Sequence, residues 1–268
     1  MISAYRYGHN LLGQRVRAEL AGGERWEYGY DELGQVTSGV KKSAPGEALA
    51  GYGFGYSYDD IGNRQETRRG RPQSPLVTQY RANTLNQYES REGTRQFGLL
   101  GRAASEAIVT INETTATRQA SPEADQSYFY GELDWSGRAE PARGIWDEVK
   151  VEAEVPGAGD QGTAAVAEET GHEYAAPEPE QYGYDEDGNL VRDSRWLYRW
   201  DAENRLIEME TAPIAQAAGV PREKLVFRYD GQSRRIEKRV SAWSAATQGY
   251  QLTRIFHGGR KKVAKFCG

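Results

Sequence analysis

The stretch Tyr182-Gly183-Tyr184-Asp185-Glu186-Asp187-Gly188-Asn189-Leu190 decides the fold expected for this 268-residue chain. Two aromatic residues two positions apart point to the same face of a β-strand. The carboxylate of Asp185 favours a turn, because it can accept hydrogen bonds from the backbone N–H groups that follow it. Gly188 or Asn189 then suits a left-handed backbone position. The stretch therefore predicts a β-hairpin whose second strand starts at Leu190.

The same pattern recurs along the chain, which indicates a repeat protein. The motif residues of the five full copies are Tyr28, Tyr30, Asp31 and Gly34; Tyr56, Tyr58, Asp59, Gly62 and Asn63; Tyr182, Tyr184, Asp185, Gly188 and Asn189; Trp200, Asp201 and Asn204; and Tyr229 and Asp230. Two degenerate copies contain Tyr5 and Tyr80. An isolated hairpin is marginal in water, so we expect an all-β fold in which the hairpins pair edge to edge in a coiling antiparallel sheet.

Composition favours the same fold class and excludes several functions. The chain has 17 Tyr, 6 Trp and 31 Gly against 2 Met, which suits a half-wet sheet with many turns. A net charge of −5 argues against a nucleic-acid partner, which would need a basic surface. No apolar run reaches the length of a membrane span, and the N-terminal residues do not resemble a signal peptide.

Repeat positions and composition predict three segments. Residues 1–96 are a YD-repeat β segment, and residues 97–181 are a β insertion plus an acidic loop rich in Gly, Ala and Pro. Residues 182–268 are a second YD-repeat β segment with a degenerate C-terminal tail. Within the insertion we expect strands at 110–112 and 128–130, whereas 156–181 is the acidic loop, in which 175–180 has the composition of a solvated loop or linker.

A short helix is expected inside the second repeat segment. Residues 212–220 are rich in alanine, and Pro213 occupies a plausible first helical position.

The recurring motif resembles the RHS/YD-repeat family of large bacterial proteins. The resemblance covers roughly 5–96 and 182–240, and its typical phrases are Gly188-Asn189-Leu190, the run from Trp200 to Leu206, and Tyr229-Asp230-Gly231. It implies a hollow β-sheet cocoon that encloses a C-terminal toxin and keeps it inert before delivery. The partners it implies are the remaining repeats of a larger shell and an enclosed toxin domain. The location it implies is secreted or at the cell surface.

The ends of the chain depart from this family pattern. The self-cleaving Asp-Pro-x-Gly segment of the family does not occur here, and the tail from His257 to Gly268 does not continue the repeat. We therefore expect a fragment or a degenerate copy rather than a complete shell.

No residue constellation points to catalysis, so we expect no enzyme activity, no cofactor and no metal site. The run Asp185–Asn189 is rich in oxygen ligands, but it lacks the EF-hand spacing and reads as a turn. Among 39 acidic residues no pair is singled out for glycoside hydrolysis. His9, His172 and His257 lie far apart and outside any metal-binding motif.

Three further alternatives are weaker. Gly51-Tyr52-Gly53-Phe54-Gly55 resembles a dinucleotide fingerprint but leads into a strand instead of a helix. Cys267 has no partner placed to activate it, and the basic residues after His257 suggest a solvated tail more than a nuclease. The tyrosine pairs could stack on sugars, which leaves a cell-surface carbohydrate-binding or adhesion module as the alternative function. We expect the pairs to pack within the sheet instead.

Overall fold

A computed structural model describes residues 4–138, 140 and 142–258 of the chain. The predicted fold class is confirmed, because 60% of the described residues are in strands and 3% are in helices. Part of the predicted degenerate tail, including Cys267, lies outside the described residues.

The strands follow one another in short intervals. The first eight are β1 (Tyr5–His9), β2 (Arg15–Leu20), β3 (Arg25–Tyr30), β4 (Val36–Lys42), β5 (Ala48–Tyr58), β6 (Arg64–Arg71), β7 (Ser74–Ala82) and β8 (Tyr88–Glu92). The next seven are β9 (Gln96–Ala104), β10 (Ile108–Ile111), β11 (Thr114–Thr115), β12 (Thr117–Ala120), β13 (Gln126–Asp134), β14 (Ile145–Val155) and β15 (Ala165–Ala175). The last are β16 (Glu180–Gln181), β17 (Gly183–Tyr184), β18 (Leu190–Arg192), β19 (Trp196–Trp200), β20 (Leu206–Thr211), β21 (Glu223–Tyr229), β22 (Arg235–Ser244) and β23 (Gly249–His257), with helix α1 (Pro213–Ala217) between β20 and β21.

The chain folds into two compact units. Within the described residues, unit 1 comprises 4–82, 91–138 and 147–173. Unit 2 comprises 83–90, 140, 142–146 and 174–258.

In unit 1, strands β1 to β7 form an antiparallel meander in which each strand pairs with the next. Two smaller sheets have the strand orders β12-β13-β9 and β11-β10-β14-β15. The insertion strands predicted at 110–112 and 128–130 are confirmed as β10 and β13, with β10 ending one residue before Asn112.

The acidic loop predicted for 156–181 is wrong over much of its length. Residues 165–175 form β15, which is hydrogen-bonded to β14. Ala175 and Ala176 are 0% and 3% exposed. The strand lies at the end of its sheet, and an edge position tolerates the Glu, Thr and Gly residues that made the segment read as a linker.

A buried polar cluster joins the meander of unit 1 to the insertion. The Lys41 ammonium lies 2.9 Å from the Glu24 carboxylate and donates a 3.0 Å hydrogen bond to the Tyr128 hydroxyl. All three residues are less than 9% exposed. Burial lowers the pKa of Lys41, but the hydrogen bonds to Tyr128 and Glu24 outweigh it and raise that pKa. The lysine is thus held charged in the interior by its partners.

In unit 2, strands β17 to β23 form a second antiparallel meander, also in chain order. Its core contains Leu225, Phe227 and Val240. The predicted short helix is confirmed, because α1 begins at Pro213. Across the described residues, no helix has the length and apolar character needed to cross a membrane.

Candidate functional site: the repeated turn

Each full repeat is built around a turn held by one acidic side chain. The carboxylate of Asp59 accepts hydrogen bonds from the backbone N–H of Ile61 at 3.1 Å and of Asn63 at 2.7 Å. The backbone N–H of Asp59 donates to the carbonyl oxygen of Asn63, and the N–H of Gly62 donates to that of Asp59. A tight turn closed in this way carries a β-bulge. The bulge appears as a register shift beside Tyr58, the residue before the aspartate.

The third residue after the aspartate has the left-handed backbone that the sequence predicts. Gly34, Gly62 and Gly188 have φ values of 82°, 92° and 84°. Asn204 and Ser233 take the same position with φ values of 55° and 57°. The last case was not predicted, because serine gives no sequence signal for a left-handed position.

The two degenerate copies form the same turn with asparagine in place of aspartate. The side-chain oxygen of Asn10 accepts backbone N–H groups two and four residues later, both at 3.0 Å. The side-chain oxygen of Asn83 does the same at 2.9 and 3.0 Å. The sequence signal for these turns is an asparagine three positions before a Gly or Asn. Asn10 precedes Gly13 and Asn83 precedes Asn86 in this way, and Gly13 and Asn86 both have positive φ.

A side chain at the fourth position after the aspartate completes the turn. The amide of Asn63 donates to the second carboxylate oxygen of Asp59 at 2.9 Å, and the guanidinium of Arg205 donates to that of Asp201 at 2.8 Å. These side chains, followed by hydrogen bonds from the backbone, hold the pKa of both aspartates below its ordinary value. These turn carboxylates are therefore ionised, and their oxygens accept hydrogen bonds from donors of their own turn.

The ring before the aspartate links each hairpin to the one before it. In unit 1, the Tyr30 hydroxyl donates to the carbonyl oxygen of Arg15 at 2.7 Å, and the Tyr58 hydroxyl donates to that of Val36 at 3.0 Å. Arg15 and Val36 are the first residues of β2 and β4, the return strands of the preceding hairpins. The aromatic residue of one repeat thus satisfies a backbone carbonyl of its neighbour.

Unit 2 repeats this link three times. The Tyr184 hydroxyl donates to the carbonyl oxygen of Tyr88 at 3.0 Å. The indole N–H of Trp200 donates to that of Leu190, and the hydroxyl of Tyr229 donates to that of Leu206, both at 2.8 Å. Each acceptor is again the first residue of a return strand, in β8, β18 and β20. We call these five bonds the ring-to-carbonyl links.

A second contact joins successive turns. In unit 2, the Asn189 side-chain amide donates to the Asn204 side-chain oxygen at 2.9 Å, and the Arg205 guanidinium lies 3.5 Å from the Ser233 hydroxyl. Each contact connects the fourth position of one turn to the left-handed position of the next. The turns therefore stack in a regular row along one edge of the sheet.

The paired tyrosines are half-buried within the sheet. This holds for Tyr28, Tyr30, Tyr56, Tyr58, Tyr182 and Tyr184. Tyr5 and Tyr7 in β1 are the more exposed pair, at 57% and 49%, and their rings are stacked with centroids 6.3 Å apart. The six half-buried rings favour packing within the sheet over sugar stacking.

The other candidate residues do not converge on one site. His9 ends β1, His172 lies in β15 rather than in the predicted acidic loop, and His257 ends β23. Over residues 4–138, 140 and 142–258, no group of three or more His, Cys, Asp or Glu side chains is arranged to hold a metal ion. Both oxygens of Asp185 accept hydrogen bonds from Asn189, at 2.7 and 3.2 Å.

No protein-family model matches the chain, and no curated protein matches it either. Among solved structures, the chain is similar to part of a chain in the crystal structure of TcdB2-TccC3-Cdc42, at 14% identity and a TM-score of 0.34. It is also similar to part of a chain in the crystal structure of TcdB2-TccC3-TEV, at 15% identity and a TM-score of 0.35. A third similar structure is the Photorhabdus luminescens Tc holotoxin pore carrying the TccC3 D651A mutation, at 13% identity and a TM-score of 0.32.

The similarity is to a small part of these larger chains. It covers 96%, 96% and 89% of this chain, respectively, and 12% of each of the other chains.

Proposed function

We propose that the chain is a non-catalytic structural segment of an RHS-type shell, which forms part of the β-sheet wall around a C-terminal toxin. The observation that supports this most is the ring-to-carbonyl link, which recurs with the same donor and acceptor positions in the five full repeats. A continuous sheet wall needs each hairpin to bind the next one through an interaction that does not depend on which side chains the next hairpin carries. The links meet that need, because each uses a backbone carbonyl as its acceptor.

The use of the turn carboxylates supports a structural role. A catalytic carboxylate needs a free oxygen directed at a substrate, and often a raised pKa. The carboxylates of Asp59, Asp201 and Asp230 have lowered pKa values and donors from their own turns. Their oxygens are used as hydrogen-bond acceptors that hold the hairpin.

The partners in this proposal are the remaining repeats of a larger shell and an enclosed polypeptide, at a secreted or cell-surface location. The experiment is isolation of the chain, with a small affinity tag, from the cells that produce it. We expect a large protease-resistant particle that releases a second polypeptide only after denaturation. Recovery of the chain alone, as a small particle in native extracts, would overturn the proposal.

A matched pair of variants connects this result to the repeat. Gly34→Val/Gly62→Val disturbs two turns and should abolish the particle, whereas Gly137→Val/Gly171→Val, at two glycines without positive φ and with open space around them, should leave it intact. Specific binding of the tagged chain to a glycan array would favour the adhesion alternative and count against the shell.

A further inference from the structure

Unit 1 contains a cleft that the repeats do not use. The cleft has a volume of about 380 Å³ and includes Phe129, Val149 and Val151 in its lining. Ligand sites in proteins have volumes of roughly 300–1,000 Å³. The cleft is therefore large enough for several side chains of a partner.

Two strand edges border this cleft. The lining includes the consecutive residues 99–102 of β9 and the consecutive residues 169–173 of β15. Alternate residues would line a cleft beside one face of a strand, so consecutive residues indicate that the backbones themselves border it. β9 and β15 are each the last strand of their sheet order within the described residues. The outer edge of such a strand presents N–H and C=O groups without a strand partner.

The rim of the cleft is acidic. Glu169 and Glu173 are exposed on β15, and within the described residues neither forms an ion pair. Arg102, a cation in the lining, already lies 3.1 Å from Glu123. The uncompensated charge beside the β15 edge is therefore negative.

We propose that the cleft binds an extended basic peptide segment, which adds as a strand to the free edge of β15. Glu169, Gly171 and Glu173 lie on one face of β15, because side chains two positions apart share a face. An apolar side chain of the peptide opposite Gly171 enters the cleft over Phe129 and Val151. Basic side chains two positions before and after it, on the same face, lie near Glu169 and Glu173. Main-chain hydrogen bonds supply the affinity in this mode of recognition, and the alternate side chains supply the specificity.

The probe is a fluorescein-labelled peptide, Thr-Thr-Lys-Thr-Val-Thr-Lys-Thr-Thr, whose Val and two Lys share one face of an extended strand, titrated against the intact chain. We expect saturable binding, together with slower amide hydrogen exchange in residues 165–173. The same peptide with Glu in place of Lys should bind at least about tenfold more weakly, since two ion pairs become repulsions. Binding without protection of residues 165–173, or equal binding of both peptides, would overturn the proposal.

Two charge-reversal variants test the position of the site. Glu169→Lys/Glu173→Lys should weaken binding of the basic peptide about tenfold. Glu106→Lys/Glu113→Lys makes the same charge change at exposed positions outside the cleft and should leave the affinity unchanged. Equal effects of both variants would mean that the peptide responds only to the net charge of the chain, and this result would overturn the proposal. Sedimentation of the chain without peptide tests whether a second copy of the chain occupies the cleft instead. Self-association that is abolished by Glu169→Lys/Glu173→Lys, but not by Glu106→Lys/Glu113→Lys, would assign the cleft to that second copy and overturn the proposal.

Discussion

The hydroxyl of Tyr184 donates a hydrogen bond to the backbone carbonyl oxygen of Tyr88, 96 residues earlier in the chain, at 3.0 Å. The same bond joins Tyr58 to Val36 across only 22 residues. The repeat therefore continues in unit 2 by the same rule as in unit 1, although a long insertion separates the two partners in sequence. Spatial order of the hairpins, rather than sequence distance, decides which carbonyl each ring meets.

Removing the Tyr184 hydroxyl should destabilise the chain. We expect Tyr184→Phe to lower the free energy of unfolding by about 1 kcal/mol, because the carbonyl of Tyr88 loses its side-chain donor. Urea denaturation followed by tryptophan fluorescence measures this change. An unchanged midpoint would mean that the bond across the insertion contributes nothing.

The left-handed glycine of the turn should resist substitution. Gly188 has φ of 84°, and we expect Gly188→Val to cost about 2 kcal/mol, because a β-branched residue strongly disfavours that backbone region. Gly231 directly follows Asp230 in the last turn, and it has no positive φ and open space where a Cβ would be. Thermal melting should therefore show a large loss for Gly188→Val and a small change for Gly231→Val, and equal losses would contradict the turn assignment.

Glycine in place of Ser233 should stabilise the last repeat turn, which begins at Asp230. Ser233 has φ of 57°, so we expect Ser233→Gly to raise the free energy of unfolding by about 1 kcal/mol through relief of backbone strain. Ser57 lies inside β5, and Ser57→Gly should lower stability by about 0.5–1 kcal/mol. Denaturation curves that move in the same direction for both variants would rule out strain at Ser233.

Acid should weaken the turns in a predictable direction. Hydrogen bonds from the Asn63 side chain and from the backbone hold the pKa of Asp59 below its ordinary value. A lowered folded-state pKa stabilises the fold above the unfolded value of about 3.9, and that contribution is lost as the pH falls through the folded pKa. We therefore expect the stability of the chain to fall below about pH 4.

The variant Asp59→Asn distinguishes the contribution of Asp59 to this pH dependence from the contributions of the other acidic groups. Asparagine keeps the turn, as Asn10 shows, but it does not titrate. Melting temperatures from pH 5 to pH 2.5 should fall less steeply in Asp59→Asn than in the parent chain. Asp60→Asn, which changes the charge of an adjacent exposed residue, should keep the parent slope, and identical slopes in all three proteins would argue against the role of Asp59.

Much of the repeat was predictable from sequence because its chemistry is local. The aspartate, the left-handed glycine and the aromatic pair lie within eight residues, so Tyr56, Asp59 and Gly62 were enough to predict one hairpin. Helix α1 was predictable for the same reason, since Pro213 marks its first position.

The remaining features depend on contacts between distant residues. Nothing near Tyr184 in sequence identifies Tyr88 as its acceptor, and nothing in residues 165–175 shows that β14 will pair with them. Asn10 and Asn83 were not predicted because the motif was defined by a carboxylate, whereas the turn requires only a side-chain oxygen at that position.

The ring-to-carbonyl links are tested most directly by two double variants from the same two repeats. Tyr30→Phe/Tyr58→Phe removes two linking hydroxyls, whereas Tyr28→Phe/Tyr56→Phe removes two hydroxyls that form no hydrogen bond within the described residues. Urea denaturation of the intact chain should show a loss of about 2 kcal/mol for the first variant and almost none for the second. Equal losses in the two variants would contradict the claim that these links hold successive hairpins together.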